Sequence, residues 1–513
     1  MKWMLYCMMI TVVQSWAVAR DSRPNVIFIS VDDLNDWEGA LGNKQVKTPN
    51  MDKLFKKGVL FTNAHCSQAV CTASRNSLLS GLHPSSTGWY SSTTAMQKTY
   101  DLVMEEHKML PQHFKDNGYK TLGVGKIFHK GVTDYKDRQD DFWDETGPKY
   151  KVSGELRERG NGYKGGQFYP FPKNGSQLIN HYGESHQDGS SLCAGPLTRE
   201  DMPNGEMFDE VITKWSLKQL GKKHEKPFFL AVGFVRPHVP FTAHQKYFNM
   251  YDRDKIVMPN VPSGEMKDIP LMGKSIAHGR LKGGDHYSVV NLSDEYWRDL
   301  VHGYLACVSF VDNQIGEVVK ALEKSEYADN TIIVLWSDHG QHLGEKHTWR
   351  KQTLWEEATR VPLFFKVPGI RPIKSNQVVS LLDVYPTLVD LCGLPEASRL
   401  EGESLKPLFE GGEVERSKPV LSTWYYKNHA VRSNDWRYIL YRDGSEELYD
   451  HRLDSGEHTN LALNPDFAKV IEEHQKWLPD EDALPAGKTS WKPDKLDKRI
   501  ERWEKDGVPA WLK

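Results

Sequence analysis

The sequence predicts an α/β fold: a large, mainly parallel central β-sheet flanked by helices, with a smaller antiparallel-sheet subdomain after it. Short apolar runs rich in Val, Ile, Leu and Phe alternate with helix-like stretches, as strands buried on both faces do. Four of those runs deliver reactive polar residues at, or just after, their carboxyl ends, the edge where open α/β sheets bind ligands. From about residue 405 onward the runs shorten and turn residues separate them closely, the texture of a small antiparallel sheet.

Composition sets the outer bounds. The chain has 513 residues, a formal net charge of −3 and 26% charged residues. That is enough length for a sizeable core, with no global basic bias to recruit nucleic acid. Residues 1–19 read as a secretory signal: Lys2 precedes the apolar run Trp3–Val13, and Ala17-Val18-Ala19 offers a small-residue cleavage site. That run is too short to span a bilayer, and no later run is long and apolar enough. A secreted or periplasmic protein without a membrane span is expected. The mature chain keeps Cys66, Cys71, Cys193, Cys307 and Cys392, which read more readily as buried thiols than as bridges in a chain this large.

The elements follow in order. Val26–Val31 is the first strand and ends at Asp32-Asp33. Cys71–Ser80 is helix-compatible and stops at Gly81. Thr121–Val124 is a strand leading to Gly125-Lys126 and then His129. Residues 130–204 are rich in Gly, Lys, Tyr and Asp without periodicity, which reads as an irregular insertion on the substrate side. Phe228–Phe234 is a strand running into Arg236-Pro237-His238. Trp297–Lys324 places Val301, Leu305, Val308, Ile315, Val319 and Leu322 at near-helical spacing and is a long core helix. Thr331–Trp336 is a strand ending at Ser337-Asp338-His339-Gly340. Leu381–Leu391 reads as a helix interrupted near its middle by Pro386. Pro419–Ser422, Ala430–Arg432, Trp436–Tyr441 and Glu447–Asp450 are the short strands of the second sheet, and the tryptophan-punctuated tail beyond Pro479 wraps the surface. The divisions are residues 20–405 for a catalytic domain and 406–513 for the subdomain and tail.

The strand ends supply a chemical constellation. At the start of a helix, Cys71 meets free backbone N–H groups and a dipole that favours an anion, and Arg75 one turn on adds a fixed positive charge. Asp32 and Asp33 are adjacent carboxylates whose burial calls for a cation, and Asp338 and His339 offer further ligands. Such an oxygen-rich set suits Ca²⁺ or Mg²⁺. Lys126 can neutralise an anionic substrate and His129 can move a proton near neutral pH. His238, held between two prolines, suits a positioned acid or base. Lys351 follows the Asp338 segment closely, and Arg360 precedes another strand, where a structural ion pair and a substrate contact are evenly matched. His181, His186, His342 and His347 read as solvated or packing histidines.

The spacing Cys71-x-Ala73-x-Arg75, a short apolar stretch and then Gly81 resembles the signature of the type I sulfatases of the alkaline-phosphatase superfamily. The likeness continues through Gly125-Lys126-x-Phe128-His129, Phe228–Gly233, Pro237-His238-x-Pro240-Phe241 and Ser337-Asp338-His339-Gly340 to Leu448-Tyr449-Asp450, and covers most of the chain. Within the family these details are most like the iduronate-2-sulfatase group. The resemblance implies an alkaline-phosphatase-like sandwich. It implies oxidation of Cys71 to Cα-formylglycine by a formylglycine-generating or anaerobic sulfatase-maturating enzyme. It implies one Ca²⁺ held by Asp32, Asp33, Asp338, His339 and the modified Cys71. Arg75 would then steady the aldehyde hydrate, Lys126 would contact sulfate, His238 and Lys351 would serve the departing alcohol, and His129 would take the second hydroxyl proton. A role for Arg360 in substrate binding is also expected.

Two departures stand out. Ala73 occupies the place where the commonest oxygen-dependent maturation substrates carry Pro, and no cysteine stands where the iduronate-type group pairs the residue matching Cys193. The leading expectation is a sulfatase acting on a sulfated carbohydrate, in exo fashion on oligosaccharides. A phosphodiesterase or phosphonate monoester hydrolase using the same hydrate is the alternative, and a non-catalytic glycan-binding protein follows if Cys71 stays unconverted.

Overall fold

The computed structural model describes residues 23–132, 135–149, 192–202, 205–279, 284–291, 294–410, 416 and 418–513. The expected signal segment 1–19 and most of the expected insertion, with His181 and His186, lie outside the described residues. The first strands are β1 (Asn25–Asp32), β2 (Val59–His65), β3 (Lys120–Gly125), β4 (Glu145–Thr146) and β5 (Ala194–Leu197). Then come β6 (Phe228–Pro237), β7 (Phe241–His244), β8 (Thr331–Ser337), β9 (His342–Leu343), β10 (Trp349–Arg350), β11 (Arg360–Lys366) and β12 (Ile373–Ser380). The last four are β13 (Val420–Thr423), β14 (His429–Arg432), β15 (Trp436–Leu440) and β16 (Glu446–Asp450).

Eight strands form the central sheet in the order β12-β2-β11-β8-β1-β6-β3-β4. β1 runs parallel to both β6 and β8, β3 parallel to β6, and only β11 runs against its two neighbours. The apolar runs are explained by two covered faces. Ile27, Ile29 and Val31 of β1 enter one core layer with Leu230, Val232, Ile333 and Leu335. Val26 and Phe28 enter the other with Phe229, Ala231, Ile332, Val334 and Trp336. The period-two alternation of a strand divides its side chains between the layers, so every residue of β1 is buried.

The long helix Asp294–Glu323 fills the first layer with Leu300, Val301, Tyr304, Leu305 and Val308. The second layer takes Leu78 and Leu79 from the helix Cys71–Ser80 and Leu388 from the helix Val384–Leu391. The expected break at Pro386 is corrected here. A short 3-10 turn, Leu381–Asp383, capped by Ser380, precedes the helix, and Pro386 falls in its first turn, where a missing N–H costs no helical hydrogen bond. The expected irregular insertion is also corrected in part: Glu145 and Thr146 pair with Leu122 and Gly123 and close the edge of the central sheet.

The antiparallel sheet β13-β14-β15-β16 packs Ala430, Ile439 and Tyr449 against Ile269, Trp355 and the tail residues Leu496 and Trp503. The tail does return across the molecule, with the Ala483 and Ala486 amides bonded to the carbonyls of Ser85 and Gly88 at 2.6 and 2.9 Å. Cys66, Cys71, Cys193, Cys307 and Cys392 are all buried free thiols. No helix among the described residues is long and apolar enough to cross a membrane.

Candidate active site

Each strand end delivers its side chains to one place at the carboxyl edge of the sheet. Asp32 is the last residue of β1, and Asp33 follows with a left-handed φ of 62°. In an extended chain the two carboxylates would point to opposite faces; the positive φ rotates the second back beside the first. Tyr304 holds that turn, its hydroxyl donating to the Asp33 carbonyl at 2.9 Å and accepting from the Asn35 amide at 3.0 Å.

Cys71 opens its helix after Val70, and Gly81 closes it with a φ of 70° and an N–H to the Ser77 carbonyl at 2.7 Å. The left-handed angle favours glycine there, and a Cβ at Gly81 would also push on the Leu400 methyl 2.3 Å away. The Cys71 Sγ lies 3.2 Å from His339 Nε2 and 3.9 Å from Asp33 Oδ1. Arg75, fully buried, donates from Nε to Asp338 Oδ2 at 2.8 Å and from Nη2 to Asp32 Oδ1 at 3.2 Å. Its Nη1 reaches Ser30 Oγ at 3.2 Å and the carbonyls of Lys126 and Ile127.

Lys126 is brought in by two glycines. A Cβ on Gly125 would meet the Gly233 carbonyl at 2.1 Å, and one on Gly233 would meet the Lys126 backbone at 2.3 Å, so β3 and β6 approach closely only without side chains. The Lys126 ammonium then pairs with Asp32 Oδ2. Lys351 donates to both oxygens of Asp33 at 2.6 Å. His238 places Nε2 3.9 Å from Asp33 Oδ2 while Nδ1 bonds the Val239 carbonyl at 2.7 Å. Asp209 accepts from the amides of Val235 and Arg236 at 2.8 and 3.0 Å, and Arg236 donates to the His238 carbonyl at 3.0 Å, which fixes the segment that carries the imidazole.

Three carboxylates (Asp32, Asp33, Asp338) therefore meet three permanent cations (Arg75, Lys126, Lys351) in a water-poor recess. Burial alone would raise the Asp32 carboxyl, but the permanent cations Lys126, Arg75 and Lys351 outweigh it and hold it well below the usual range. Asp33 goes the other way: burial and the charges of Asp32 and Asp338 raise it, against Lys351. The His339 imidazole, although buried, is pushed up to about 9 by Asp338 and Cys71. His129 is brought down to about 3 by burial and Lys126, and Thr93 Oγ1 lies 3.4 Å from its Nδ1.

Donor atoms of Asp33, Cys71 and His339, of Asp32, Cys71 and Asp338, and of Asp32, Asp33 and His238 converge to within 4.8 Å in each group. Burial, with the charges of Asp32 and Asp338, raises Asp33, a strain that a bound divalent cation would relieve, and carboxylate oxygens are the donors hard cations prefer. The set fits a metal, whose binding would displace the proton from His339.

The sequence-predicted residues thus come together, except Arg360. Its side chain is committed to the Thr62 carbonyl at 2.9 Å and Asp36 at 3.2 Å, and no bond joins it to the cluster. Ser30, Tyr304, Thr93 and the Gly125/Gly233 pair were not legible as site residues. Ser30 alone carried a signal, as the one hydroxyl inside an apolar strand.

The loop bearing Lys351 is anchored by the buried pair Arg350–Asp285 at 2.7 Å and by Trp349 Nε1 donating to His286 Nδ1 at 3.2 Å. Burial and neighbouring His347 bring His286 down to about 3. An unfolded histidine titrates near 6.5, so the native state loses stability as pH falls from about 6.5 towards 3 and loses none above it. Comparing urea midpoints at pH 7 and 4.5, His286→Gln should reduce the wild-type acid loss by on the order of 2 kcal/mol. An unchanged acid loss would contradict the assignment.

The sulfatase family profile matches residues 24–394, and the profile for the N-sulphoglucosamine sulphohydrolase C-terminal region matches residues 344–483. A sulfatase of Formosa agariphila is 38% identical over 461 residues, covering 89% of this chain and 86% of the relative. Mouse iduronate 2-sulfatase is 31% identical, covering 73% and 70%. Among solved structures, a phosphonate monoester hydrolase of Agrobacterium radiobacter superposes with a TM-score of 0.69 at 22% identity, covering 88% of this chain and 94% of that one, a likeness of fold.

Proposed function

The chain belongs to the sulfatase family and is a sulfuric ester hydrolase, and we propose that it releases sulfate from a sulfated carbohydrate through an aldehyde formed at Cys71. The single observation that carries this reading is the convergence of Cys71, Arg75, Lys126, Lys351, three aspartates and His339 on one buried point. The named activity of the iduronate 2-sulfatase relative supports a sugar substrate, and Lys2 through Ala19 supports export.

Conversion of Cys71 is a two-electron oxidation in which sulfur leaves as hydrogen sulfide and a carbonyl oxygen takes its place, carried out by a separate maturation enzyme using oxygen or an anaerobic oxidant. Hydrated, this aldehyde would supply one hydroxyl that passes its proton to Asp338 as its oxygen bonds to sulfur and the ester S–O bond breaks, and a second whose deprotonation reforms the carbonyl, breaks the C–O bond and expels sulfate. Asp32, Asp33, Asp338 and His339 would hold Ca²⁺, which supplies Lewis-acid polarisation of a sulfate oxygen.

The rest falls to the chain's own side chains. Arg75 orients Asp32 and Asp338 through its two hydrogen bonds and helps to keep Asp32 ionised. Lys126 and Lys351 bring positive charge to the sulfate, where the transition state gathers negative charge. Burial and Lys351 hold His238 neutral and well below its usual value, so the Lys351 ammonium is the donor at the departing oxygen, and His238 gains a proton only when the ester's charge offsets Lys351. His129, kept neutral, accepts the proton of the second hydroxyl.

The test is mass spectrometry of the Cys71 peptide together with sulfate release. Conversion should lower the peptide mass by roughly 18 Da, a change outside ordinary thiol oxidation, and converted protein should release sulfate from p-nitrophenyl sulfate and sulfated oligosaccharides. Activity in protein whose Cys71 is wholly thiol would overturn the mechanism. Preferential turnover of bis-p-nitrophenyl phosphate would replace sulfate esters by phosphodiesters as the substrate class.

A further inference from the structure

Beside the catalytic recess lies a cavity of about 470 Å³, walled on one side by residues from Gly88 to Thr99 and on the other by Tyr425 and the tail segment Pro485–Lys488. Its first wall is continuous with the site already described. The short helix Thr93–Lys98 begins at Thr93, the residue in contact with His129, and Gln68, three residues before Cys71, donates to the Tyr90 carbonyl at 2.6 Å. Lys98 stands five residues beyond Thr93, about 7.5 Å along the helix at 1.5 Å per residue.

The walls combine three features. Lys98 and Lys488 both line the cavity, and neither ammonium makes a hydrogen bond or ion pair with the described residues. Among the described residues nothing compensates their charge, unlike that of Lys126 or Lys351. Tyr425 adds an aromatic ring fixed by edge contacts with Tyr90 and Trp491, centroids 5.7 Å away in both cases. Its backbone is held at a φ of 55°, a cost a non-glycine residue bears only where the surroundings over-determine it. Its hydroxyl, too, has no partner among the described residues. Finally, Ser91, Ser92 and Thr94 offer hydroxyls on the facing wall. A half-exposed ring, a row of hydroxyls and two ammonium groups unpaired among the described residues match a pyranose: its C–H face packs on an aromatic, its hydroxyls hydrogen-bond, and its anionic substituent takes the positive charge.

We infer that this cavity is a subsite for a second, anionic sugar unit of the substrate, one that carries its own sulfate or carboxylate and is linked to the unit whose sulfate is removed at Cys71. The inference rests on the sulfated-carbohydrate reading and narrows it: the preferred substrate is at least a disaccharide, charged on both units. Lys98 and Lys488 bind the second charge and Tyr425 the sugar face. The tail, which sequence alone assigns to the surface, contributes directly to specificity.

The test uses the full chain. In the Cys71→Ala protein, which cannot turn over, calorimetry measures binding of a heparin tetrasaccharide and an ι-carrageenan tetrasaccharide, with and without Lys98→Ala/Lys488→Ala or Tyr425→Ala. At least one tetrasaccharide should bind, with Kd raised about tenfold by either change. The double lysine variant should also lose most of the salt dependence. In the converted enzyme, kcat/KM for that tetrasaccharide relative to p-nitrophenyl sulfate should fall about tenfold, through KM. Binding unchanged within twofold, equal losses on both substrates, or no binding of either tetrasaccharide would overturn the subsite. Failure of the converted wild type to release sulfate from any probe would instead count against the proposed reaction, and calorimetry would still decide the cavity.

Discussion

Cys71→Ala should bring sulfate release down by at least about 10⁴-fold, to the level of unconverted protein, while the fold persists. Removing Sγ deletes the atom that conversion acts on. It lies 3.2 Å from His339 Nε2 and within reach of Asp33, and no other described side chain places a nucleophile there. The structural loss is one buried sulfur at a helix start whose packing is carried by Leu78 and Leu79, so thermal stability should change by only about 1 kcal/mol. Sulfate release measured beside a melting curve separates the two effects. Activity within tenfold of the converted wild type would remove Cys71 from the chemistry.

Arg75→Ala should damage both stability and activity. The guanidinium is fully buried, its Nε and Nη2 serve Asp338 and Asp32, and its Cζ lies over the Trp336 ring, 5.6 Å from the centroid. Deleting one partner of a buried charged network leaves the others uncompensated, at a cost of about 3–5 kcal/mol. Activity should fall by about 10²-fold or more, because the carboxylates lose the group that orients them. Arg75→Lys restores the charge without the planar fork, and should recover part of the stability while leaving most of the activity lost. Urea midpoints and sulfate release on the two variants check this; an alanine variant as stable as wild type would mean that the lysines and a bound cation suffice to balance the aspartates.

Much of this site was legible in advance because of where strands end. In a parallel sheet covered on both faces, the run of apolar residues marks the strand and its last residue marks the ligand edge, so Asp32, Lys126, His238 and Asp338 could be read as neighbours although they are far apart in the chain. The helix opening at Cys71 and closing at Gly81 was equally local, set by a free helix start and a left-handed stop. Arg360 shows where this reasoning fails. It too stands at a strand boundary, but β11 runs antiparallel, so the start of that strand reaches the same edge while its side chain is taken by Asp36.

What the sequence determined by itself was the inventory and its address: the strands, the helix at Cys71, and the edge at which the charged residues gather, because strand period, helix stop signals and sheet polarity act over a few residues. What only the tertiary structure decided was the pairing. Lys126 takes Asp32 and Lys351 takes Asp33, Tyr304 holds the Asp33 turn from a helix that read as plain core, and a tail segment near residue 488 meets the helix after Thr93 to wall a cavity. Those choices depend on contacts between segments far apart in the chain, where charge, burial and available space across the folded molecule set the partners and no local pattern records them.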